Sequence, residues 1–219
     1  MVVSSPKIPR KRPGPEGGLR DRNRQANQRR LADAALALFL EHGTAAVTID
    51  QIVDRAKMAK GSFYRYAIDK PDVVAQILAP VIAEATAALD RCEGSLRHAR
   101  RESLAAIYIA LAQELSAVVA THPRHVLFYL QEMRAPMRSA PPAIRELADR
   151  LTSRTIALTE IARDHGLIRP VDPSVSAMMV LGAIEALLFA RLRRHKSPSA
   201  EVARITSELV EIVLRGIGV

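Results

Sequence analysis

The chain has 219 residues, a net charge of +9, 48% hydrophobic residues, only 4% aromatics and no Trp. That apolar share supports a sizeable core and excludes a disordered chain. The core must be built from Ala, Leu, Val and Ile, a composition that favours packed helices. The single cysteine, Cys92, excludes an intrachain disulfide and fits a reducing, cytoplasmic setting.

The N-terminus shows no apolar leader, so secretion is not expected. The longest apolar stretch, Val175 to Ala190, is interrupted by Glu185 and reads as too short to span a bilayer comfortably. The positive charge is concentrated at one end. Residues 1–30 hold nine basic side chains (Lys7, Arg10, Lys11, Arg12, Arg20, Arg22, Arg24, Arg29 and Arg30) against Glu16 and Asp21. Residues 31–70 balance five of each sign, so nearly all the excess lies in the N-terminal arm. Such an arm suits a polyanion, either nucleic acid or an acidic membrane.

In chain order, residues 1–22 read as a disordered basic arm. Pro6, Pro9, Pro13 and Pro15 break helices, and Gly14, Gly17 and Gly18 add freedom. The arm is either a solubilising tail or a segment that follows DNA phosphates. From Asn23 a helical period takes over. Leu31, Ala34, Ala35, Leu38 and Phe39 share one face, and Gly43 stops the helix, giving a span of 24–42. Thr48 and Gln51 form a capping box for a short helix over 49–56, with Asp50 in its first turn. A second short helix is expected over 60–66, then a long one over 70–92 capped by Asp69. Further helices are expected near 98–121, 123–134, 141–165, 173–195 and 199–216, separated by proline and glycine breakers. No strand alternation is present. The expected fold is all-α: a three-helix helix-turn-helix unit over 23–70 and a helical domain over 71–219.

The stretch from Arg30 to Leu78 resembles the DNA-binding domain of the tetracycline-repressor (TetR) family. The resemblance rests on Leu38-Phe39, Gly43, Thr48-Ile49, Lys60-Gly61-Ser62-Phe63-Tyr64-Arg65-Tyr66 and Asp69-Lys70. Two departures stand out. Ala67 replaces the usual Phe, and the turn reads Ala56-Lys57-Met58-Ala59, without the glycine common there. The resemblance implies a homodimeric transcriptional regulator, a repressor bound to a palindromic operator in double-stranded DNA and released by a small-molecule effector, with 71–219 as its effector-binding and dimerisation domain.

Helix 60–66 would then enter the major groove. Gly61 permits close backbone approach, and Ser62 can donate to a phosphate or base edge. Lys60 and Arg65 suit phosphate or guanine. Tyr64 and Tyr66 offer hydroxyls to phosphate oxygens. Lys70 would set its ammonium on the DNA backbone, and Thr48 can touch phosphate as well as cap. The bland alternatives are a solvated charge for each cation and a core position for the aromatics, Phe63 above all.

Helix 173–195 is apolar nearly all round, and Val202, Ile205, Leu209, Ile212 and Val213 stripe the last helix. Both patterns suit a two-fold dimer interface as well as simple core packing. An effector pocket would involve Tyr108, Phe128, Tyr129, Met133, Met137, Met178 and Glu185, although most of these are core at base rates. Glu185, a carboxylate in an apolar helix, would pair with an Arg, line the pocket or lie at the dimer seam. His122 and His125 lack a third metal ligand, so no metal is expected, and no cofactor either. No phosphate loop, dinucleotide fingerprint or nucleophile elbow is present, and Cys92 lacks an activating base, so an enzyme is not expected. A membrane-surface protein is a weak rival because the arm has nothing apolar to insert. A helical partner-binding protein with a non-functional helix-turn-helix is the stronger one.

Overall fold

The computed structural model describes residues 18–135, 140–194, 204, 208–213 and 215–216. Helix α1 (Leu19–His42) begins five residues before the expected start, directly after Gly18 in extended conformation. Residues 19–22 are therefore helical rather than part of a disordered arm. No breaker stands between Gly18 and Asn23, so the helix extends until glycine ends it. At the other end Gly43 takes φ +77 and returns its N–H to the Phe39 carbonyl at 2.8 Å.

Helix α2 (Ile49–Arg55) carries the expected capping box. Thr48 Oγ1 accepts the Gln51 amide at 3.3 Å, and the Gln51 side chain accepts the Thr48 amide at 2.8 Å. Its far end closes in a Schellman motif. The Met58 amide donates to the Val53 carbonyl at 2.9 Å and the Lys57 amide to the Asp54 carbonyl at 3.0 Å. Lys57 stands at the left-handed position with φ +52, among the described residues the one non-glycine at positive φ. The turn therefore keeps its geometry without the customary glycine.

The next element, Lys60–Arg65, is a 3₁₀ helix rather than the expected α-helix. Gly61 and Ser62 are weak helix formers, and a segment this short gains little from an α register. Helix α3 (Lys70–Leu96) follows, with Asp69 accepting the Asp72 amide at 2.8 Å. Pro80 lies inside α3 on an exposed face, where it removes one backbone donor. Helices α4 (Arg101–Thr121), α5 (Pro123–Glu132), α6 (Pro142–Asp164) and α7 (Pro173–Leu192) complete the ordered bundle. Pieces of the expected last helix, 208–213 among them, are helical, whereas Val202 and Ile205 lie outside the described residues. Among the described residues there is no strand.

Two apolar clusters hold the bundle. The first joins Leu31, Phe39, Ile52 and Phe63 of the N-terminal unit to Val119, Phe128, Ile144 and Leu192 of the later helices. Phe39 and Phe128 stack with centroids 5.6 Å apart. The second gathers Leu89, Cys92, Leu96, Leu104, Leu158 and Ile168 around α3, α4 and α6. Burial pushes the Cys92 thiol up to about 12, so it stays neutral.

The expectation about bilayer-spanning length needs correction. Helices α3, α4 and α7 are each long and apolar enough to cross a membrane by length and composition. The apolar run from Val175 to Ala190 lies inside α7, which gains about one turn from its flanks. Helix α7 packs inward through Ser176 and Ala177, yet leaves Val175, Met178, Met179 and Leu187 exposed.

Candidate nucleic-acid interface and internal cavity

The candidate reading surface is built on a hydrophobic anchor. Phe63 is fully buried and Ala67 nearly so, which pins the 3₁₀ helix against α1 and α2. A Phe at position 67 is not needed to fill that space. With Phe63 inward, Lys60, Gly61, Tyr64 and Arg65 project outward, and Tyr64 is 63% exposed. Thr48, at the start of α2, is exposed as well. A Cβ built on Gly61 would meet nothing within 4 Å, and no positive φ is recorded there. Its own fold therefore places no demand for glycine at that position.

Several of these side chains are already engaged. Lys60 Nζ pairs with Asp50 Oδ1 at 2.7 Å, bridging the 3₁₀ helix to α2. That hydrogen bond and the carboxylate charge raise the pKa of the ammonium. Arg65 donates to Ser62 Oγ at 2.9 Å. Tyr66 is half-buried against the first core, and its carbonyl accepts Gln76 Nε2 at 2.9 Å. Gln76 in turn accepts from Gln28 of α1 at 3.0 Å. These two glutamines position the end of the reading helix. Sequence reasoning passed over them, because only the fold brings α1, α3 and Tyr66 together.

Lys70 is placed differently from the expectation. Its ammonium donates to the carbonyls of Thr44 at 2.7 Å and Val47 at 2.9 Å. Two of its three protons therefore tie α3 to the loop before α2 rather than pointing at a partner. The same loop is also held by α5. The Thr44 amide donates to Glu132 Oε1 at 3.0 Å, and Glu132 is only 4% exposed. Gln131 Nε2 reaches the Leu40 carbonyl at 3.3 Å. The end of α5 thus grips the junction of α1 and α2, a contact that no local motif announces. Beside the reading helix, Ile68 is 81% exposed, an apolar side chain also missed from the sequence.

A partly open cavity of about 140 Å³ lies among α3, α4, α6, α7 and the helical segment 208–213. Of the pocket residues expected from sequence, Tyr108 lines it. The others are corrected or fall elsewhere. Phe128 and Tyr129 are buried in the first core, and Met133 packs against that core. Met178 is 71% exposed on the outer face of α7. Met137 lies outside the described residues. Glu185 takes neither the expected Arg partner nor a place in the cavity wall. Its Oε1 accepts the Tyr129 hydroxyl at 2.9 Å, while Arg134 reaches only the Glu185 backbone carbonyl at 3.3 Å. The Arg134 guanidinium instead lies over the Phe189 ring, 3.9 Å from its centroid. Burial, reinforced by the Glu185 carboxylate, pushes the Tyr129 phenol well above its usual range.

His122 bonds Glu84 at 2.9 Å and packs edge-on against His125, their centroids 5.5 Å apart. Among the described residues no three metal-ligating groups converge.

Residues 31–77 match the family model of bacterial regulatory proteins, tetR family. The N-terminal domain is that of the tetR family. The matched segment runs from the buried face of α1 through the capping box and the 3₁₀ helix into α3.

Solved structures extend the likeness in fold to most of the chain. SmeT, the repressor of the Stenotrophomonas maltophilia multidrug efflux pump SmeDEF, superposes with a TM-score of 0.66 at 22% identity. That match covers 90% of this chain and 93% of that one. FadR from Bacillus subtilis, solved with stearoyl-CoA, gives 0.64 at 16% identity, covering 86% and 98%. The tetR-family regulator PfmR from Thermus thermophilus gives 0.63 at 16%, covering 85% and 97%. No curated protein matches the sequence. The tetR-family domain here thus sits on a helical C-terminal domain of the same architecture as these regulators.

Proposed function

We propose that the chain is a homodimeric DNA-binding transcriptional regulator, a repressor released from a palindromic operator by a small molecule held in the cavity between its C-terminal helices. The observation that carries this reading is the outward set Thr48, Lys60, Gly61, Tyr64 and Arg65, with half-buried Ser62 among them, held on two short elements by the buried Phe63. Gly61, with open space where a side chain would stand, leaves the backbone accessible to a phosphate or base edge. The exposed cations at positions 22, 24, 29 and 30 of α1 extend a basic flank beside it. Tyr66 and Lys70 act mainly by positioning, Tyr66 from its half-buried seat and Lys70 through its grip on the loop before α2.

Two copies are needed to read a palindrome, with reading helices about 34–36 Å apart. The uncovered face of α7, with Val175, Met178, Met179 and Leu187, is the surface on which a second copy would pack. Helix α3 offers the mechanical link. Leu89 lines the cavity at one end and Lys70 holds the reading unit at the other, about 28 Å away along the helix axis. A ligand that favours one tilt of α3 shifts the population of head spacings.

The test is operator selection from genomic DNA with wild type and Tyr64→Ala. Tyr64 is exposed, so the variant keeps the fold. Enrichment of a palindrome by wild type, lost in the variant, is expected. No enrichment above non-specific binding would refute the reading and favour a partner-binding protein with an idle helix-turn-helix.

A further inference from the structure

The wall of the cavity restricts what can enter it. Leu89, Leu111, Leu115, Leu158, Val180 and Ile184 supply aliphatic surface from four helices. Among the described residues no Asp, Glu, Lys, Arg or His lines the space. Its polar groups are hydroxyls: Tyr108, Thr155, Thr159 and Ser176. Two of these are engaged within α6, where Thr155 donates to the Leu151 carbonyl at 2.8 Å and Thr159 to the Thr155 carbonyl at 3.0 Å. Tyr108 makes no hydrogen bond to any described residue. Burial raises the pKa of its phenol, so it stays protonated at neutral pH.

An ion placed against this wall would lose much of its hydration and meet no counter-charge among the described residues, an unfavourable exchange of about 1 kcal/mol or more. A void of roughly 150 Å³ lined by aliphatic side chains holds a molecule such as benzene, and this cavity is of that size. We propose that the cavity binds an uncharged, ring-sized lipophile carrying one hydrogen-bonding group, which pairs with the Tyr108 hydroxyl. Acids, amines and nucleotide-bearing thioesters are excluded by the missing counter-charge, even though the chain as a whole is strongly basic. This inference rests on the reading that the cavity is the effector site.

The experiment needs no DNA, so its failure is separable from failure of the regulator reading. Calorimetric or NMR titration of the full chain would use four probes at pH 7: ethylbenzene, 4-ethylphenol, 4-ethylbenzoate and 4-ethylbenzylamine. The two neutral probes should bind, and the two ions at least about tenfold more weakly. Tyr108→Phe should weaken 4-ethylphenol by about three- to tenfold and leave ethylbenzene unchanged, which a merely structural role for Tyr108 would not produce. Val180→Phe, which fills the cavity from α7, should abolish binding while the thermal transition persists. Equal or tighter binding of either ion, or no binding of the neutral probes to folded protein, would overturn the proposal. If the neutral probes bind but leave operator affinity unchanged, the ligand class stands and the effector role falls.

Discussion

Lys57 occupies the left-handed position of the Schellman motif that ends α2, with φ +52. For a residue with a Cβ that conformation costs about 1–2 kcal/mol, and glycine adopts it freely. Lys57→Gly removes this cost but adds about 0.5–1 kcal/mol of unfolded-chain entropy. The expected net gain is about 0.5–1 kcal/mol. The contacts around the position are made by backbone: the Lys57 and Met58 amides, and the Lys57 carbonyl that accepts Arg30 Nη2 at 3.4 Å. All of them survive the substitution. The side chain itself is exposed, so Lys57→Ala controls for loss of charge while keeping the strained backbone. In urea unfolding at fixed protein concentration, the glycine variant should raise the midpoint with an unchanged slope, and the alanine variant should stay within about 0.5 kcal/mol of wild type. In a thermal scan the gain amounts to about 1–4 °C for a chain of this size. If glycine and alanine variants unfold at the same midpoint, left-handed strain at Lys57 is not what this turn carries.

Three further outcomes are expected. Glu132→Ala leaves the buried Thr44 amide without an acceptor and should cost about 1–3 kcal/mol, whereas Glu132→Gln retains an acceptor oxygen and should cost clearly less. Equal losses in chemical denaturation would show that the hydrogen bond is not the source. His125 has its pKa lowered mainly by burial, then by His122 and Arg124, against the opposing charge of Asp33. The unfolded chain therefore binds the proton more readily, and stability should fall as pH drops from about 6.5 toward the lowered value. His125→Gln should flatten that part of the stability–pH curve, and an unchanged curve would assign the slope to other groups. Cys92, buried and pushed up to about 12, should react with a thiol reagent at neutral pH only as fast as the chain opens. Immediate labelling of the folded protein would contradict its placement in the second core.

The local features were legible from sequence because their physics is local. The capping box at Thr48 and Gln51 needs four residues, and the stripe of Leu31, Ala35, Leu38 and Phe39 needs three turns. Both stand where periodicity and capping chemistry put them. The outward display of Tyr64 opposite buried Phe63 likewise follows from adjacent positions. What failed were inferences that depend on how helices meet. Met178 was a candidate for the cavity, yet the rotation of α7 about its axis turns it outward and brings Val180 and Ile184 inward. For Glu185 the sequence offers an arginine partner, the pocket or the dimer seam, whereas the neighbouring helix presents a phenol. The motif position of Lys70 suggests a DNA contact, but the carbonyls that occupy its ammonium lie 26 and 23 residues earlier.

The first apolar cluster does not stop at the end of the reading unit. Phe39 stacks on Phe128 of α5, and the loop at Thr44 is held by Glu132 from outside the first 70 residues. An excised head of residues 18–70 would leave one aromatic face and one buried amide open to water. In a chimera, a borrowed head would have to bring its own answer to Phe128 and Glu132. The modularity suggested by separate reading and sensing functions is therefore not modularity of folding, and grafting should be planned around the seam at α5 rather than the start of α3.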